Sequence, residues 1–441
     1  MGCGDGRGVG GESGAECAAM VPESAGPERR AELRHGRAGL LYPLLWSLCV
    51  VMAGAGAAPA QPLTFQQLLV DAGASGDDKA TADIDGDGDA DGVIGGSSLT
   101  WYRSSGAART FSGPYLIRSS VQEFTTDMEV ADLDADGDID LVVSDGNITN
   151  NVRWYENPVI GPPPGGTSDP TIGANWEQHL IGTHGSWAHD IEVGSLDGVA
   201  GLEVVTLGNG FFKVHFQDAG VTWTTVDFAQ HADDGSPAIA DIDGDGDRDI
   251  FVKGGWIESP PSGRRVASNW TFHPITSSDP GDGPAATAAD IDRDGRIDLV
   301  TCPQHNESGA LAWFKNPANP TQANWPRAVI DPSAGSHHLR VADFDGDARP
   351  DLLVGLELAA GYITVFRNTG STPAFTAHPV AAGGGGHNAA VGDLDGNGLP
   401  DVWAADWIGN PPLRAYFNAP DLMFRDGFES GNTSRWSAAA P

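Results

Sequence analysis

Hydrophobic and polar residues alternate in short runs from about residue 63 to residue 420, a pattern typical of half-buried β-strands. Helical periodicity of useful length occurs only near the N-terminus. In the clearest stretch the runs predict four consecutive strands, at 128–133, 140–144, 151–156 and 176–181. The 60 glycines and 30 prolines are typical of a loop-rich protein, so the pattern favours an all-β fold.

An acidic nine-residue loop follows the first strand of this unit, and the same arrangement recurs along the chain. The seven loops, numbered one to seven, begin at Asp83, Asp132, Ser195, Asp241, Asp290, Asp343 and Asp393. Their starts lie 46 to 63 residues apart, and a repeat of this length with several strands indicates a propeller blade or a stacked array. The predicted third strands contain a recurring aromatic motif, the WYEN theme, named after residues 154–157. We predict that Trp101, Trp154 and Trp313 in this motif pack between blades.

The two ends of the repeat predict how the array closes. The seventh unit has no convincing fourth strand, whereas a fourth-strand sequence stands at 63–70, before the first unit. We predict that this N-terminal strand completes the last blade, because closure removes two open sheet edges. The predicted fold is a seven-bladed β-propeller over 61–420, with four antiparallel strands per blade and a separate tail at 421–441.

The first 60 residues predict export. Basic residues at 29–37, an apolar run at 40–51 and Ala58-Pro59-Ala60 before Gln61 are typical of a secretory signal peptide, and an N-terminal membrane anchor is the alternative. We therefore expect a secreted, extracellular or cell-surface protein, with the periplasm as an alternative, and no membrane span after cleavage. Cys302 is the one cysteine beyond residue 60, so no intrachain disulfide is expected there.

Charge is concentrated in the repeated loops. Residues 61–441 contain 20 Lys plus Arg and 54 Asp plus Glu, a formal net charge of −34, and 28 of those acids lie in the seven loops. This distribution indicates cation binding and argues against nucleic acid as a partner. We expect a monomer.

Loop two shows the chemistry that the repeats predict. Asp132, Asp134, Asp136 and Asp140 stand at positions 1, 3, 5 and 9, and Gly137 stands at position 6. Oxygen ligands on alternate residues can converge on one Ca²⁺ if a glycine permits the sharp turn between them. Position 7 would contribute only its backbone carbonyl. The alternative is an Asp/Gly turn that holds no metal.

The segments DLDADGDIDLVVS, DIDGDGDRDIFVKG and WYEN resemble the FG-GAP/VCBS repeats of integrin α-subunit heads and many bacterial surface proteins. The resemblance covers nearly all of residues 63–420 and implies a calcium-binding propeller. The family includes adhesion heads, lectin-like proteins and polysaccharide lyases, so the resemblance specifies the fold and the metal better than the activity.

When the ligand positions of the FG-GAP/VCBS repeats are transferred to the matching positions of this sequence, the resemblance implies about six structural Ca²⁺ sites. The ligands are Asp83, Asp85, Asp87, Asp89 and Asp91 in loop one; Asp132, Asp134, Asp136, Asp138 and Asp140 in loop two; Asp241, Asp243, Asp245, Asp247 and Asp249 in loop four; Asp290, Asp292, Asp294, Arg296 and Asp298 in loop five; Asp343, Asp345, Asp347, Arg349 and Asp351 in loop six; and Asp393, Asp395, Asn397, Leu399 and Asp401 in loop seven.

Two loops depart from the pattern. Loop six has Ala348 in place of the glycine, which we expect to weaken it. Loop three has Ser195, Asp197, Val199 and Glu203 at the ligand positions, and we predict that it binds no calcium.

A second candidate site lies at the start of the innermost strands. His189, His337 and His387 each stand six residues before position 1 of their loops, so they would ring the central channel opposite the calcium loops. His305, Asn147 and Asp406 are predicted on the same face. These residues indicate either a ligand or second-metal site at the channel mouth, or polar turns that wet a water-filled channel.

Three functional hypotheses follow. The first is a secreted, calcium-stabilised binding or adhesion module for a glycan or protein ligand. The second is a polysaccharide-active, lyase-like enzyme with its site on the face opposite the calcium loops. The third is a structural surface protein with no soluble ligand. We find no G-x-S-x-G, H-E-x-x-H, phosphate-loop or C-x-x-C motif in the chain, but lyase residues can come from scattered loops.

Overall fold

A computed structural model describes residues 62–74, 76–119, 124–146, 149–160, 168–185, 188–208, 210–228, 235–276, 285–303, 309–355, 362–370, 374–382, 385–406 and 411–419. The predicted signal peptide and the tail at 421–441 lie outside these ranges.

The described chain forms seven four-stranded antiparallel sheets, which are the blades. Blade one is β2 (Asp78–Ala82), β3 (Asp91–Gly95), β4 (Ser98–Ser104) and β5 (Phe111–Ser119); blade two is β6 (Phe124–Ala131), β7 (Asp140–Gly146), β8 (Asn151–Glu156) and β9 (Glu177–Thr183); blade three is β10 (Ala188–Gly194), β11 (Glu203–Gly208), β12 (Phe211–Ala219) and β13 (Thr222–Asp227); blade four is β14 (Ala238–Ala240), β15 (Asp249–Val252), β16 (Gly255–Glu258) and β17 (Thr271–Pro274).

The remaining three blades follow in the same way. Blade five is β18 (Ala285–Ala289), β19 (Asp298–Cys302), β20 (Leu311–Phe314) and β21 (Arg327–Asp331); blade six is β22 (Leu339–Ala342), β23 (Asp351–Gly355), β24 (Tyr362–Asn368) and β25 (Phe375–Ala382); blade seven is β26 (Ala390–Gly392), β27 (Asp401–Ala404), β28 (Leu413–Asn418) and the N-terminal β1 (Phe65–Asp71). Short 3-10 helices occupy Gly106–Ala108, Gly173–Asn175 and Ala267–Asn269.

The ring closes as predicted. β1 runs antiparallel to β28, with Phe65 opposite Asn418, and the Ala419 amide donates to the Thr64 carbonyl over 2.8 Å. The innermost strand of each blade contacts those of its two neighbours, and β26 contacts β2. The protein is a seven-bladed β-propeller.

One strand boundary differs from the sequence prediction in a way that matters for the site. β6 begins at Phe124, four residues before the predicted start at 128. Thr125 and Asp127 pair with β7 although they are polar, and both are buried. The hydrophobic pattern missed this segment because its polar side chains are buried in the centre of the propeller.

The hydrophobic core lies between blades. Trp101, of blade one, is fully buried and packs in one cluster with Met128 and Leu141 of blade two. Trp154 and Trp313 each pack in the same way against the following blade, so the predicted inter-blade role of the three tryptophans is confirmed. Cys302 is a buried free thiol. Across the described ranges, no helix is long and apolar enough to cross a membrane.

Candidate metal loops and central channel

Each acidic loop joins the first strand of its blade to the second. In loop two, Oδ1 of Asp132 accepts the Asp136 amide over 3.0 Å, and Oδ2 accepts the Gly137 amide over 3.2 Å. The position-1 carboxylate therefore holds the turn closed from inside. The same pair of bonds, to positions 5 and 6, occurs at Asp83, Asp290, Asp343 and Asp393.

Position 6 requires a left-handed backbone. Gly137 has φ of 106°, and Ala348 in loop six has φ of 65°. A side chain in this region costs about 1–2 kcal/mol, which glycine avoids. The cost gives a physical reason for the predicted weakness of loop six.

Position 9 is buried and connects the loop to the rest of the blade. Oδ2 of Asp140 accepts the Leu133 amide over 2.9 Å, and Oδ1 accepts the Asn157 amide beyond β8 over 2.8 Å. Burial raises the pKa of Asp140 to about 9. Each oxygen keeps a second lone pair for a cation. Equivalent pairs of amide bonds are made by Asp91, Asp249, Asp298, Asp351 and Asp401.

The asparagine that follows the third strand bonds to the preceding blade. Nδ2 of Asn157 donates to the Ile139 carbonyl of its own loop and to the Ile84 carbonyl of blade one over 2.8 Å. Asn316, Asn368 and Asn418 donate to the preceding blade in the same way. Between blades one and seven, Oγ of Ser104 donates to the Leu394 carbonyl over 2.7 Å. Sequence reasoning missed this role, although the asparagine recurs at the end of the WYEN theme.

The loop carboxylates fit a hard cation. One oxygen from each of Asp132, Asp134 and Asp136 lies within 4.8 Å of the other two, and Asp83, Asp85 and Asp91 form a similar group. Oδ2 of Asp136 is buried and accepts no hydrogen bond. Burial raises the pKa of Asp136 to about 6, and the negative charges of Asp134 and Asp132 add to the shift. A divalent cation bound to these oxygens would remove both penalties.

Several loops carry a basic partner from the third strand. A basic residue lies within one position of the end of this strand, Arg103 in blade one, Lys315 in blade five and Arg367 in blade six. Each contacts the position-3 aspartate of its own loop. In loop seven, Nε of Arg109, from blade one, lies 2.7 Å from Asp395.

Loops two and four have an acid at the same third-strand position. It is Glu156 in blade two and Glu258 in blade four. Their carboxylates lie 2.7 and 2.6 Å from Nε2 of His179 and His273, respectively. Loop four still has one basic contact, from Arg264 to Asp247. Among the loop-two carboxylates that the structure describes, none pairs with a lysine or an arginine.

Loop three contains a guanidinium group. Arg265 lies in the segment between β16 and β17 of blade four. Its Nη2 and Nε donate to Oδ2 of Asp197 over 2.8 and 3.0 Å, and Nη2 also donates to the Gln217 carbonyl. Glu203, at position 9, accepts the Leu196 amide over 2.6 Å, so this loop keeps its backbone support. The positive charge of Arg265 next to Asp197 gives a physical reason why loop three would need no metal. That loop three binds no calcium stays a prediction.

Charged side chains cross the central channel. Nε2 of His338 lies 2.8 Å from Oδ1 of Asp190 and 3.7 Å from Oδ1 of Asp127. These residues come from blades six, three and two, which do not all neighbour one another, so they meet through the channel. Arg340 lies 3.9 Å from Glu129 in the same direction. Burial lowers the pKa of His338 and raises that of Asp127 well above its usual range.

Comparison with family models identifies the repeat. A model described as an FG-GAP-like repeat matches residues 83–143 and 290–354. Both segments contain an acidic loop and the strands on either side of it, and the seven blades repeat that unit. The protein is a β-propeller that contains FG-GAP-like repeats.

Several solved structures are similar to the FG-GAP propeller at low identity. A lectin from Agrocybe aegerita that recognises non-reducing terminal N-acetylglucosamine is 17% identical, with a TM-score of 0.46, over 78% of this chain and 86% of that one. BBS1N in complex with ARL6DN is 9% identical, with a TM-score of 0.49, over 83% and 99%. Chaetomium thermophilum Raptor is 12% identical, with a TM-score of 0.49, over 82% of this chain and 29% of that one. No curated protein matches the chain.

The predicted channel residues of the FG-GAP propeller are placed only in part. The rings of His337 and His387 lie 4.5 Å apart, and both side chains are buried. His189 lies in β10. Burial lowers the pKa of Lys79 to about 8, and the negative charge of Asp406, which follows β27, is one of those that oppose this shift. Asn147 and His305 lie outside the described residues.

The residues that pair across the channel stand five residues (His338, Asp190 and Asp127) or three residues (Arg340 and Glu129) before position 1 of their loops. The sequence prediction named only the residues that stand six before it.

Proposed function

We propose that the FG-GAP propeller is a secreted, calcium-stabilised binding module for a glycan or protein ligand. The observation that carries the calcium part is the set of converging carboxylates in loops one and two, with Oδ2 of Asp136 buried and without a donor. Water or protein donors normally satisfy such an atom, so its orphaned state favours a cation as the missing partner.

In this proposal the side chains at positions 1, 3, 5 and 9 hold the ion, with the carbonyl at position 7. The ion supplies positive charge to a turn that otherwise crowds four or five carboxylates. Position 1 shapes the turn and position 9 connects it to the third strand, so an ion in loop two would stabilise the connection between β6, β7 and the end of β8.

The burial of the channel histidines argues against a lyase-like site among them. His337 and His338 are each 7% exposed, and His387 is 3% exposed. These are the acid and base groups that a lyase-like site opposite the calcium loops would use. Because they are buried against one another, a polymer would not reach them without rearrangement.

An array of glycans and extracellular proteins, probed in calcium and again in excess EDTA, tests this proposal. We expect retention on at least one ligand class in calcium and its loss in EDTA, without turnover. The matched control is Asp218→Asn, an exposed carboxylate outside the ligand positions. An increase in ultraviolet absorbance with uronic-acid polymers would instead show lyase activity, and equal retention with and without calcium would contradict the role of the metal.

A further inference from the structure

The innermost strands of blades one, two, three and six bring a second group of metal-ligating side chains together, away from the acidic loops. One ligand atom from each of Asp190, His337 and His338 lies within 4.8 Å of the other two. Asp78, Asp127 and His338 form a second group of the same kind. His338 belongs to both groups, so the two groups adjoin at this residue in the channel.

The environment of Asp78 distinguishes this cluster from an ordinary buried ion pair. Its side chain is 0% exposed, and neither carboxylate oxygen accepts a hydrogen bond. Asp127, beside it, is satisfied by two backbone amides, from Met128 over 2.9 Å and from Ile191 over 2.5 Å.

Burial raises the pKa of Asp78 to about 8, and the positive charges of Arg340 and Lys79 oppose that rise. Neither cation donates a hydrogen bond to the carboxylate. A buried carboxylate without a donor is costly, so Asp78 has room for a further partner.

The nearby cations do not fill this place. The ammonium group of Lys79 donates to the carbonyl oxygens of Asp77, over 2.7 Å, and of His387, over 2.8 Å, and therefore faces the backbone. Arg340 lies in β22, two residues after His338, and its guanidinium group approaches the carboxylate of Glu129. Carboxylates thus outnumber the cations around His338.

We propose that the channel holds one divalent transition-metal ion of the zinc class, with His338, His337, Asp190 and Asp78 as its ligands. Imidazole nitrogen together with carboxylate oxygen favours Zn²⁺ or Co²⁺ over Ca²⁺, which takes oxygen ligands. Ligands of a tetrahedral Zn²⁺ ion stand roughly 3.3 Å apart, a spacing that fits groups whose atoms lie within 4.8 Å of one another. The ion would connect blades one, three and six across the channel.

Titration of the full chain with Co²⁺, in calcium sufficient to saturate the loops, tests the proposal. We expect one Co²⁺ per chain, with the visible absorption of cobalt bound to imidazole, and displacement by Zn²⁺. His338→Gln should abolish the band, and Asp78→Asn should weaken Co²⁺ binding by about tenfold or more. His378→Gln, on the outer strand of blade six, should change neither.

Three results would overturn the proposal. The first is the absence of a cobalt band in the wild-type protein. The second is a band that survives both His338→Gln and Asp78→Asn. The third is loss of the band in His179→Gln, because His179 lies with Glu156 and Glu177 in a separate group on the rim. Asp78→Asn keeps the side-chain volume, so it remains informative if His338→Gln fails to fold. The calcium-dependent melting temperature is a separate readout for the loops.

Discussion

The acidic loops differ in the charges around them, and this difference predicts which of them depend most on calcium. Asp134 in loop two has Glu156 rather than a base at the end of its third strand. Asp292, at the same position of loop five, contacts Lys315. We therefore compare Asp134→Asn with Asp292→Asn, since each change removes one charge and keeps an oxygen donor. We expect the first to lose more calcium stabilisation than the second.

The expected size follows from mass action. At about 1 mM calcium and a dissociation constant of about 10⁻⁴ M, one site stabilises the folded state by about 1.4 kcal/mol. Residues 62–419 number 358, and an unfolding entropy of about 2.1 cal/mol/K per residue gives about 0.75 kcal/mol/K in all. One site is therefore worth about 2 °C of melting temperature, and six sites about 11 °C, for a single cooperative transition.

Thermal melting of both variants, in calcium and in excess EDTA, measures the effect. Asp134→Asn should lower the melting temperature by about 2 °C in calcium, and should leave it unchanged or higher in EDTA, because one repelling charge is removed. Asp292→Asn should lower it by less than about 1 °C in calcium, and should lower it also in EDTA, because Lys315 loses one of its two carboxylate partners, Asp292 and Asp294. Equal shifts of the two variants in both conditions would refute this reasoning, as would a wild-type melt unaffected by EDTA.

Three further predictions concern the ring and its core. Asn316→Ala leaves two carbonyls without a donor and should cost roughly 2–4 kcal/mol in chemical denaturation, whereas exposed Asn319→Ala should cost less than about 0.5. Burial lowers the pKa of His215 to about 3, so only the unfolded state gains this proton as pH falls below 6.5. His215 should therefore contribute a loss of about 2 kcal/mol of stability between pH 7 and 5, and His215→Gln should be less sensitive to acidification than the wild type by about that amount. Deleting residues 62–71 exposes β28 and should cause association in light scattering; a monomer with an unchanged melt would contradict ring closure.

Much of the fold could be predicted because one unit repeats. Alternation and the acidic loops located the blades, and the displaced strand near residue 65 indicated closure. The channel site was predicted with His337, but the contact between His338 and Asp190 could not be, because these residues are far apart in sequence and meet only once the ring is closed. The register also mattered, since the prediction marked residues six before the loop, whereas the side chains that meet across the channel stand five and three before it.

The repeated asparagine connects metal binding to the interfaces between blades. Asp140 accepts the amide of Asn157, and the side chain of Asn157 donates to Ile84 in the preceding blade. An ion at loop two would hold Asp140, and through it the residue that joins blades one and two. Loss of one ion should therefore loosen an interface as well as a turn, so the effects of neighbouring loops should not be additive. This coupling is the reason to compare each loop variant within the closed ring rather than in an isolated blade.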